Sequence, residues 1–524
     1  MASLCDRDRS LNPLINLFEK TPHVKYSIVG LGKLGASMAA AIASRGHHVI
    51  GVDVNNRSVD LLNLGHAPVQ ETNLEEMISA NKDRIRATRS HEEAILNSDI
   101  TFVIVPTPSD DRGAFSLQYA AWAFKEIGKA LIKKQGYHVV VLTSTVLPGA
   151  TRYGLLTVLE QESGKKCGPD FGLCYSPEFI ALGSVIRDFL NPDFTLIGEF
   201  DDRCGSMLEQ AYSEIMANNA PCKRMSLENA ELTKISVNAF VTTKITFANM
   251  LADMCERLPG GNVDVVTAAV GSDKRIGTKY LKGGLGFGGP CFPRDNVALA
   301  FMARALGTSA DVSESTDRSN RSIPEKIVKH LKSRIKRGTT VAILGLAYKP
   351  HSHIIEESQP IEIAWQLFKL GARVVAYDPL ARDGAQTEFR GQILMLDSLA
   401  DCLAQAEVVL VATPDPVFQN LTVADFAGHE NPVMVVDFWR ILQSTLTDQP
   451  EIEYVPVGCS VDDAANATRL IELWHPGIPG GIKIEHVKKI PVTGATDRNT
   501  PPQLVSGLLN SKGTPAANPV AAYK

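Results

Sequence analysis

The stretch Tyr26–Asp53, YSIVGLGKLGASMAAAIASRGHHVIGVD, constrains the fold more than any other part of the chain. Tyr26–Val29 reads as a short buried strand and runs straight into Gly30, Gly32 and Gly35, spaced G-x-G-x-x-G. Leu34–Ser44 is alanine-rich and reads as a helix, Gly46 as its cap, and Val49–Val52 as a second strand closed by Asp53. The glycine spacing alone says little. Strand, glycine turn, helix, strand and acid in this order are the sequence of a dinucleotide-binding βαβ unit. The first glycine permits the tight turn, the second lets a pyrophosphate approach the backbone, and the third lets helix pack closely on strand. Lys33 and Leu34 sit inside that turn, where the helix N-terminus adds partial positive charge. Asp53, 18 residues beyond Gly35, would accept hydrogen bonds from a ribose diol and repel a 2′-phosphate, so NAD is favoured over NADP.

A second unit of the same kind begins at Thr339. TTVAILGLAYKP is a strand ending in Gly345, Ser358–Leu370 a helix, Gly371 its cap, and RVVAYDP a strand ending in Asp378. SDITFVIVPTPSD (98–110) and AEVVLVATPDP (406–416) are apolar strands that both end in Thr-Pro, at Thr107-Pro108 and Thr413-Pro414. Only the first unit carries the full glycine fingerprint; the second offers Lys349 as a phosphate counter-charge. Between them Leu227–Leu258 has helical periodicity and no Gly or Pro, and would span roughly 48 Å at 1.5 Å per residue. That is long enough to join two domains, and its apolar face is a candidate dimer interface. The expected fold is α/β, two Rossmann-like doubly wound domains joined by a long central helix. The expected segments are an extension over 1–24, a cofactor domain over 25–222, a helical region with the cysteine loop over 223–322, a second nucleotide-type domain over 323–475, and a tail over 476–524, disordered from about 490.

Composition excludes several classes of partner. A net charge of -5 and no dense Lys/Arg stripe give no footprint for nucleic acid; the basic run at 329–337 reads as a solvated helix face. No apolar run reaches the ~18 residues of a membrane span, and charges stand where a signal peptide would need its apolar core. Nine cysteines without a CxxC pair fit reduced thiols in the cytoplasm better than a disulfide framework. His351 and His353 lack a third ligand nearby, so no metal is expected.

One cysteine is set apart from the others. GGLGFGGPCFPRD, Gly283–Asp295, places Cys291 among five glycines and two prolines. A structural cysteine needs a packed apolar niche, whereas a reactive one needs close substrate approach, which bare backbone permits. The motifs VGLGKLGASMA, VPTPSD, TSTVLPGAT, YSPEF, AELTKISVNAF, RIGTKYLKGGLGFGGPCFPRD and GLAYKP, spread over residues 25–440, together resemble the UDP-glucose/GDP-mannose dehydrogenase family. The resemblance implies oxidation of the C6 hydroxymethyl of a nucleotide-linked hexose to a carboxylate in two NAD-dependent steps, with NAD in the first domain and the nucleotide sugar in the second. The chemistry agrees. An aldehyde cannot give up a second hydride until something adds to its carbonyl. A Cys291 thiolate can add to give a thiohemiacetal, which is oxidised to a thioester and hydrolysed.

Lys234 and Asn238 lie four apart on one face of the central helix, an ammonium and an amide able to meet at an oxyanion. Lys234 is also a candidate base if burial depresses its pKa. Resemblance assigns Asp295 and Thr145 to an active-site water and Glu178 to acid/base work in thioester hydrolysis. The expected cofactor set is Gly30, Gly32, Lys33, Leu34, Gly35 and Asp53, with Pro106, Thr107, Thr145 and Arg294. For the substrate the resemblance implies Glu178, Phe179, Lys234, Asn238, Tyr280 and Gly288. It adds Lys282 and Lys349 at phosphates and sugar, Arg440 at sugar hydroxyls, and Arg275 reaching the neighbouring site of a homodimer or higher oligomer. Glu356 stands where relatives carry an arginine. The PEF form in YSPEF is more like glucose- or mannose-type members than N-acetylhexosamine members, which carry PER, and favours UDP-glucose going to UDP-glucuronate. GDP-mannose and UDP-N-acetylhexosamine are the alternatives. A catalytically silent nucleotide-sugar-binding regulator would predict loss of Cys291, Lys234 or Asp295, and all three are present. A single-hydride dehydrogenase of the hydroxyacid type would need neither the cysteine loop nor the second nucleotide-type domain.

Overall fold

The computed structural model describes residues 24–181 and 183–474. The expected N-terminal extension (to residue 23) and the expected tail lie outside the described residues. The central strands of each sheet, such as Tyr26–Val29, Ile100–Val103, Thr340–Leu344 and Val408–Val411, are buried along their whole length, as parallel sheets covered on both faces require. The first sheet comprises β1 (Tyr26–Val29), β2 (Val49–Val52), β3 (Ile85–Thr88), β4 (Ile100–Val103), β5 (Val139–Leu142), β6 (Gly172–Tyr175), β7 (Thr195–Glu199) and β8 (Cys222–Ser226), in the order β3-β2-β1-β4-β5-β6-β7-β8. Its pairs are parallel except β6–β7. Parallel β1 pairs with both β2 and β4, Val29 opposite Val52 and Val103. Successive crossovers therefore part at β1, which opens a crevice beyond the carboxyl ends of β1 and β4.

The glycine turn fills that position for steric reasons. Gly30 has φ +99°, and a Cβ there would lie 2.0 Å from the Ile104 carbonyl oxygen. A Cβ on Gly35 would lie 1.8 Å from the Gly30 oxygen, so no side chain fits where the helix Lys33–Ser44 meets β1. A Cβ on Gly32, by contrast, would meet nothing within 4 Å. The turn is crowded behind and open in front.

The second sheet comprises β9 (Thr340–Leu344), β10 (Arg373–Tyr377), β11 (Leu394–Met395), β12 (Val408–Val411), β13 (Val433–Asp437) and β14 (Ile452–Pro456), all parallel, in the order β11-β10-β9-β12-β13-β14. This is the order of β3-β2-β1-β4-β5-β6 repeated. Gly345 takes the place of Gly30, with φ +91° and a Cβ that would lie 2.0 Å from Thr413 Oγ1. The acids at the ends of β2 and β10 differ. Asp53 is half-buried, accepting from Leu31 N at 2.7 Å and Asn55 N at 2.8 Å. Asp378 is buried and takes four backbone N–H groups, from Leu346, Ala347, Leu380 and Ala381. It is a brace for its own turn and has no oxygen to offer a ribose.

The central helix runs Leu227–Cys255, capped by Ser226, whose side chain accepts from Asn229 N. It ends three residues before the Leu258 expected from its periodicity. The chain turns back there, and Gly261 packs so tightly on it that a Cβ would lie 2.0 Å from the Cys255 oxygen. One side buries Glu231, Lys234, Ile235 and Thr242. The opposite side exposes Phe240, Phe247, Met250 and Met254, which fall on one stripe at i, i+7, i+10 and i+14. Among the described residues, no helix is long and apolar enough to cross a membrane, and no group of three His, Cys, Asp or Glu side chains could hold a metal ion.

Candidate active site

The crevice is a cleft of about 690 Å³. Its wall includes Gly30, Gly32, Lys33, Leu34, Gly35, Asp53, Pro106, Thr107, Thr145 and Arg294, the whole expected cofactor set. The donor set suits NAD: exposed backbone at Gly32 beside a helix N-terminus for a pyrophosphate, and a carboxylate at the end of β2 for a ribose. His91, Tyr119 and Trp122 also line the cleft, and sequence reasoning missed them. His91 and Trp122 meet edge to face at 5.2 Å. The available signal was an aromatic pair three apart at the start of the helix Gln118–Lys133, lying off its apolar stripe of Ala120, Ala123, Phe124, Ile127 and Leu131.

At the inner end of the cleft, Glu178 and Thr145 share the wall with the cofactor set. Thr145 is held by its backbone, its carbonyl accepting from Thr107 Oγ1 at 2.8 Å. The loop after β5 is anchored from the central helix, because Glu231 is fully buried and accepts from Gly149 N at 2.5 Å and Thr151 N at 2.8 Å. One helical turn on, buried Lys234 donates to the Glu178 carbonyl at 2.5 Å and lies 4.5 Å from the centre of the Phe179 ring. Burial lowers the Lys234 pKa; Asp295, Cys291 and Glu178 oppose the shift without reversing it. Burial pushes the Glu178 carboxyl up to about 7 against the pull of Lys234.

Asn238, a further turn along, donates to Asp295 Oδ2 at 2.6 Å. One of its two amide hydrogens is thereby committed, and the second remains for another acceptor. Asp295 is 1% exposed, and its Oδ1 lies 3.5 Å from Arg294 Nε. Burial raises its pKa, with Arg294 the largest opposing influence. Cys291 precedes the helix Phe292–Ala305, which Pro293 opens and which carries Asp295 in its first turn. Its thiol is exposed to solvent. The surrounding protein, followed by the Asp295 charge, raises its pKa, while Arg294 and Lys234 pull the other way. The resting sulfur is therefore a thiol that needs a base to become nucleophilic.

Four of the loop glycines make room for protein. A Cβ on Gly284 would lie 2.8 Å from the Trp439 ring, on Gly286 2.1 Å from Asn320 Oδ1, on Gly288 2.3 Å from the Glu357 oxygen, and on Gly289 2.7 Å from the Tyr348 ring. Gly289 N also donates to the Glu356 oxygen at 2.9 Å. The second Rossmann-like domain thus closes directly onto the backbone that carries Cys291. Tyr348, not foreseen, stands at that contact, and burial, then the Cys291 charge, push its hydroxyl up to about 12.

The remaining expected substrate residues fall in three places. Tyr280 sits in the left-handed region at φ +62°, its ring 6.3 Å from that of Phe292. Lys349 is half-buried on the second domain; burial lowers its pKa while Asp188 and Glu71 raise it. Lys282 is exposed, and Arg275 stands far out in solvent with Asp273 as its ion-pair partner. Arg440 departs from expectation. It is buried, and all five of its N–H groups are occupied: Nε and Nη2 on Asp264 at 2.7 and 2.8 Å, Nη2 on the Gly283 carbonyl at 2.8 Å, and Nη1 on Phe438 and Val457 carbonyls at 2.9 and 2.6 Å. In this arrangement it has no donor left for a sugar hydroxyl.

Residues 24–216 match the model of the UDP-glucose/GDP-mannose dehydrogenase family NAD binding domain, 228–322 that of its central domain, and 342–444 that of its UDP binding domain. The chain is 37% identical to a UDP-glucose 6-dehydrogenase of Haloferax volcanii over 80% of its own length and 97% of that protein. It is 34% identical to a GDP-mannose 6-dehydrogenase of Pseudomonas putida, over 78% of its length and 95% of that protein. A solved UDP-glucose dehydrogenase from Pyrobaculum islandicum superposes with a TM-score of 0.76 at 34% identity, covering 84% of this chain and 99% of that one.

Proposed function

Because the chain belongs to the UDP-glucose/GDP-mannose dehydrogenase family, we propose that it oxidises the C6 hydroxymethyl of UDP-glucose to the carboxylate of UDP-glucuronate, consuming two NAD and one water. The observation that carries this reading is Cys291: a solvent-open thiol on a loop clamped by the second domain, within electrostatic reach of Lys234, Arg294 and Asp295. NAD would be held by the glycine turn and Asp53, and two NAD in succession would each accept one hydride.

The side chains of the site do the rest. Lys234, its pKa lowered by burial, takes the hydroxyl proton as C6 becomes an aldehyde. Its ammonium and the second Asn238 N–H then hold the carbonyl oxygen while the sulfur of Cys291 bonds to C6. The thiol proton ends on that oxygen, giving a neutral thiohemiacetal. Lys234, having released its first proton to water, takes the O–H proton as the second hydride leaves, which gives a thioester. Glu178 takes a proton from water attacking C6 and returns it to the departing sulfur. Its raised pKa suits a group that must both accept and donate near neutrality. Asp295 fixes Asn238, and Thr145 lines the wall beside Glu178. The uridine diphosphate belongs to the second domain, with Lys349 on its first turn.

The apolar stripe Phe240–Met254 supports a dimer across the central helix, which would carry exposed Arg275 toward a neighbouring site. A Phe240→Asp variant is expected to elute as a monomer. Eight described cysteines, all free, suit a cytoplasmic enzyme whose chemistry needs a reduced thiol. The test of function is a panel of UDP-glucose, GDP-mannose and UDP-N-acetylhexosamines followed at the NADH absorbance. The expected result is turnover of UDP-glucose with two NADH per sugar. One NADH per sugar, or preference for GDP-mannose, would overturn the covalent scheme or the choice of sugar respectively.

A further inference from the structure

The turn that receives the cofactor pyrophosphate is touched from outside its own domain. Lys33, between the second and third glycines, brings its Nζ to His353 Nε2 at 3.0 Å. His353 belongs to the second domain, 320 residues away in the chain, on the segment that follows β9. That segment also makes the contacts on the cysteine loop: the Glu356 carbonyl accepts from Gly289 N, and the Glu357 carbonyl lies over Gly288. One stretch, 353–357, therefore spans both the cofactor turn and the catalytic loop. The Lys33 ammonium can only donate, so the imidazole accepts through Nε2. Lys33 belongs to a turn whose Gly32 backbone is open in front.

We propose that His353 is a positioning residue for the dinucleotide: by accepting from Lys33 it holds the ammonium from the second domain where it meets the pyrophosphate, so that cofactor binding and domain closure draw on the same contact. With one N–H committed to His353 Nε2, the Lys33 ammonium keeps two donors for phosphate oxygen. By linkage, whatever the second domain gains from its own nucleotide on closing is passed to NAD, and the reverse holds equally. This rests on the functional reading above, which makes the cleft an NAD site.

The test measures binding to the full-length chain by quenching of Trp122, which lies on the cleft wall. The ligands are NAD, ADP-ribose and adenosine, with and without UDP. Relative to the unaltered chain, His353→Ala is expected to weaken NAD and ADP-ribose about five- to tenfold and to leave adenosine within about twofold. UDP is expected to tighten NAD binding in the unaltered chain, and to do so less in the variant. His353→Gln, whose amide oxygen can accept from Lys33, should recover most of the loss. Lys33→Met should weaken ADP-ribose similarly and should not add fully to His353→Ala. UDP affinity measured alone should be unchanged in every variant, which controls for folding. ADP-ribose binding unaltered by His353→Ala, or adenosine weakened as much as ADP-ribose, overturns the proposal. If the unaltered chain takes up no NAD at all, the functional reading fails instead.

Discussion

Arg440 offers the sharpest contest between expectation and geometry. Its five N–H groups join the second domain at Phe438 and Val457 to Gly283 at the base of the cysteine loop and to Asp264 on the helix Val263–Gly271. Truncation to Ala strands three carbonyl oxygens, each losing about 1 kcal/mol. It also removes the bidentate pair with Asp264, worth about 1 kcal/mol more, because Asp264 is 42% exposed and water screens it. The expected destabilisation is about 4 kcal/mol. With a urea slope of about 3 kcal/mol per M, the unfolding midpoint falls by about 1.3 M. Arg440→Lys keeps one charge opposite Asp264 but cannot reproduce the fork, and should lose about half as much. The assay is urea unfolding followed by circular dichroism, paired with UDP-glucose affinity measured well below the transition. A sugar-holding arginine predicts the reverse pattern, intact stability with affinity lost tenfold or more. That result for Arg440→Lys would refute the assignment of Arg440 as a bolt between segments.

Three further outcomes follow from the same geometry. Gly288→Ala would push a Cβ to 2.3 Å from the Glu357 carbonyl oxygen, and backbone cannot rotate away as a side chain can. The second domain is expected to lift off the cysteine loop, with kcat falling about a hundredfold; activity within twofold of the parent would contradict this. With Glu178 raised to about 7, its base form is lost as pH falls through that value, so kcat should decline on the acid side of pH 7. Glu178→Gln should be slower by about two to three orders of magnitude and lack that inflection, and an acid limb near 4.5 in the parent would count against Glu178. Glu231→Ala leaves Gly149 N and Thr151 N without their carboxylate, for a loss of about 2–3 kcal/mol in thermal or urea unfolding. Parent-like stability would show that the loop after β5 is held some other way.

Features written into short stretches of chain were legible in the sequence. Gly30, Gly32, Gly35 and the repeat at Gly345 were legible because their spacing between strand and helix is a local pattern, although the atoms that exclude a side chain at Gly30 and Gly345 belong to Ile104 and Thr413. Lys234 and Asn238 could be placed on one face because helical spacing is local. What escaped notice depends on segments far apart in sequence. The five carbonyl and carboxylate contacts of Arg440 come from four separated stretches, none of which carries a mark of the others. The cysteine-loop glycines could be read as bare backbone, but not their protein neighbours, because Trp439, Glu357 and Tyr348 reach them only through the packing of the second domain. His91 and Trp122 look like ordinary helix residues until the cleft puts them on one wall. Asp378 repeats Asp53 in pattern and not in role, and only the count of backbone donors on its oxygens separates the two.

The central claim is that the C6 carbon becomes bonded to sulfur at Cys291. Acid quench of a single turnover, with the sugar nucleotide radiolabelled in its hexose, followed by peptide mapping of the denatured chain, addresses it directly. The label should sit on the peptide containing Cys291, should build up when Glu178→Gln slows hydrolysis, and should vanish in Cys291→Ala. Carboxylate product formed at the parent rate by Cys291→Ala, or label attached to some other residue, would contradict the account.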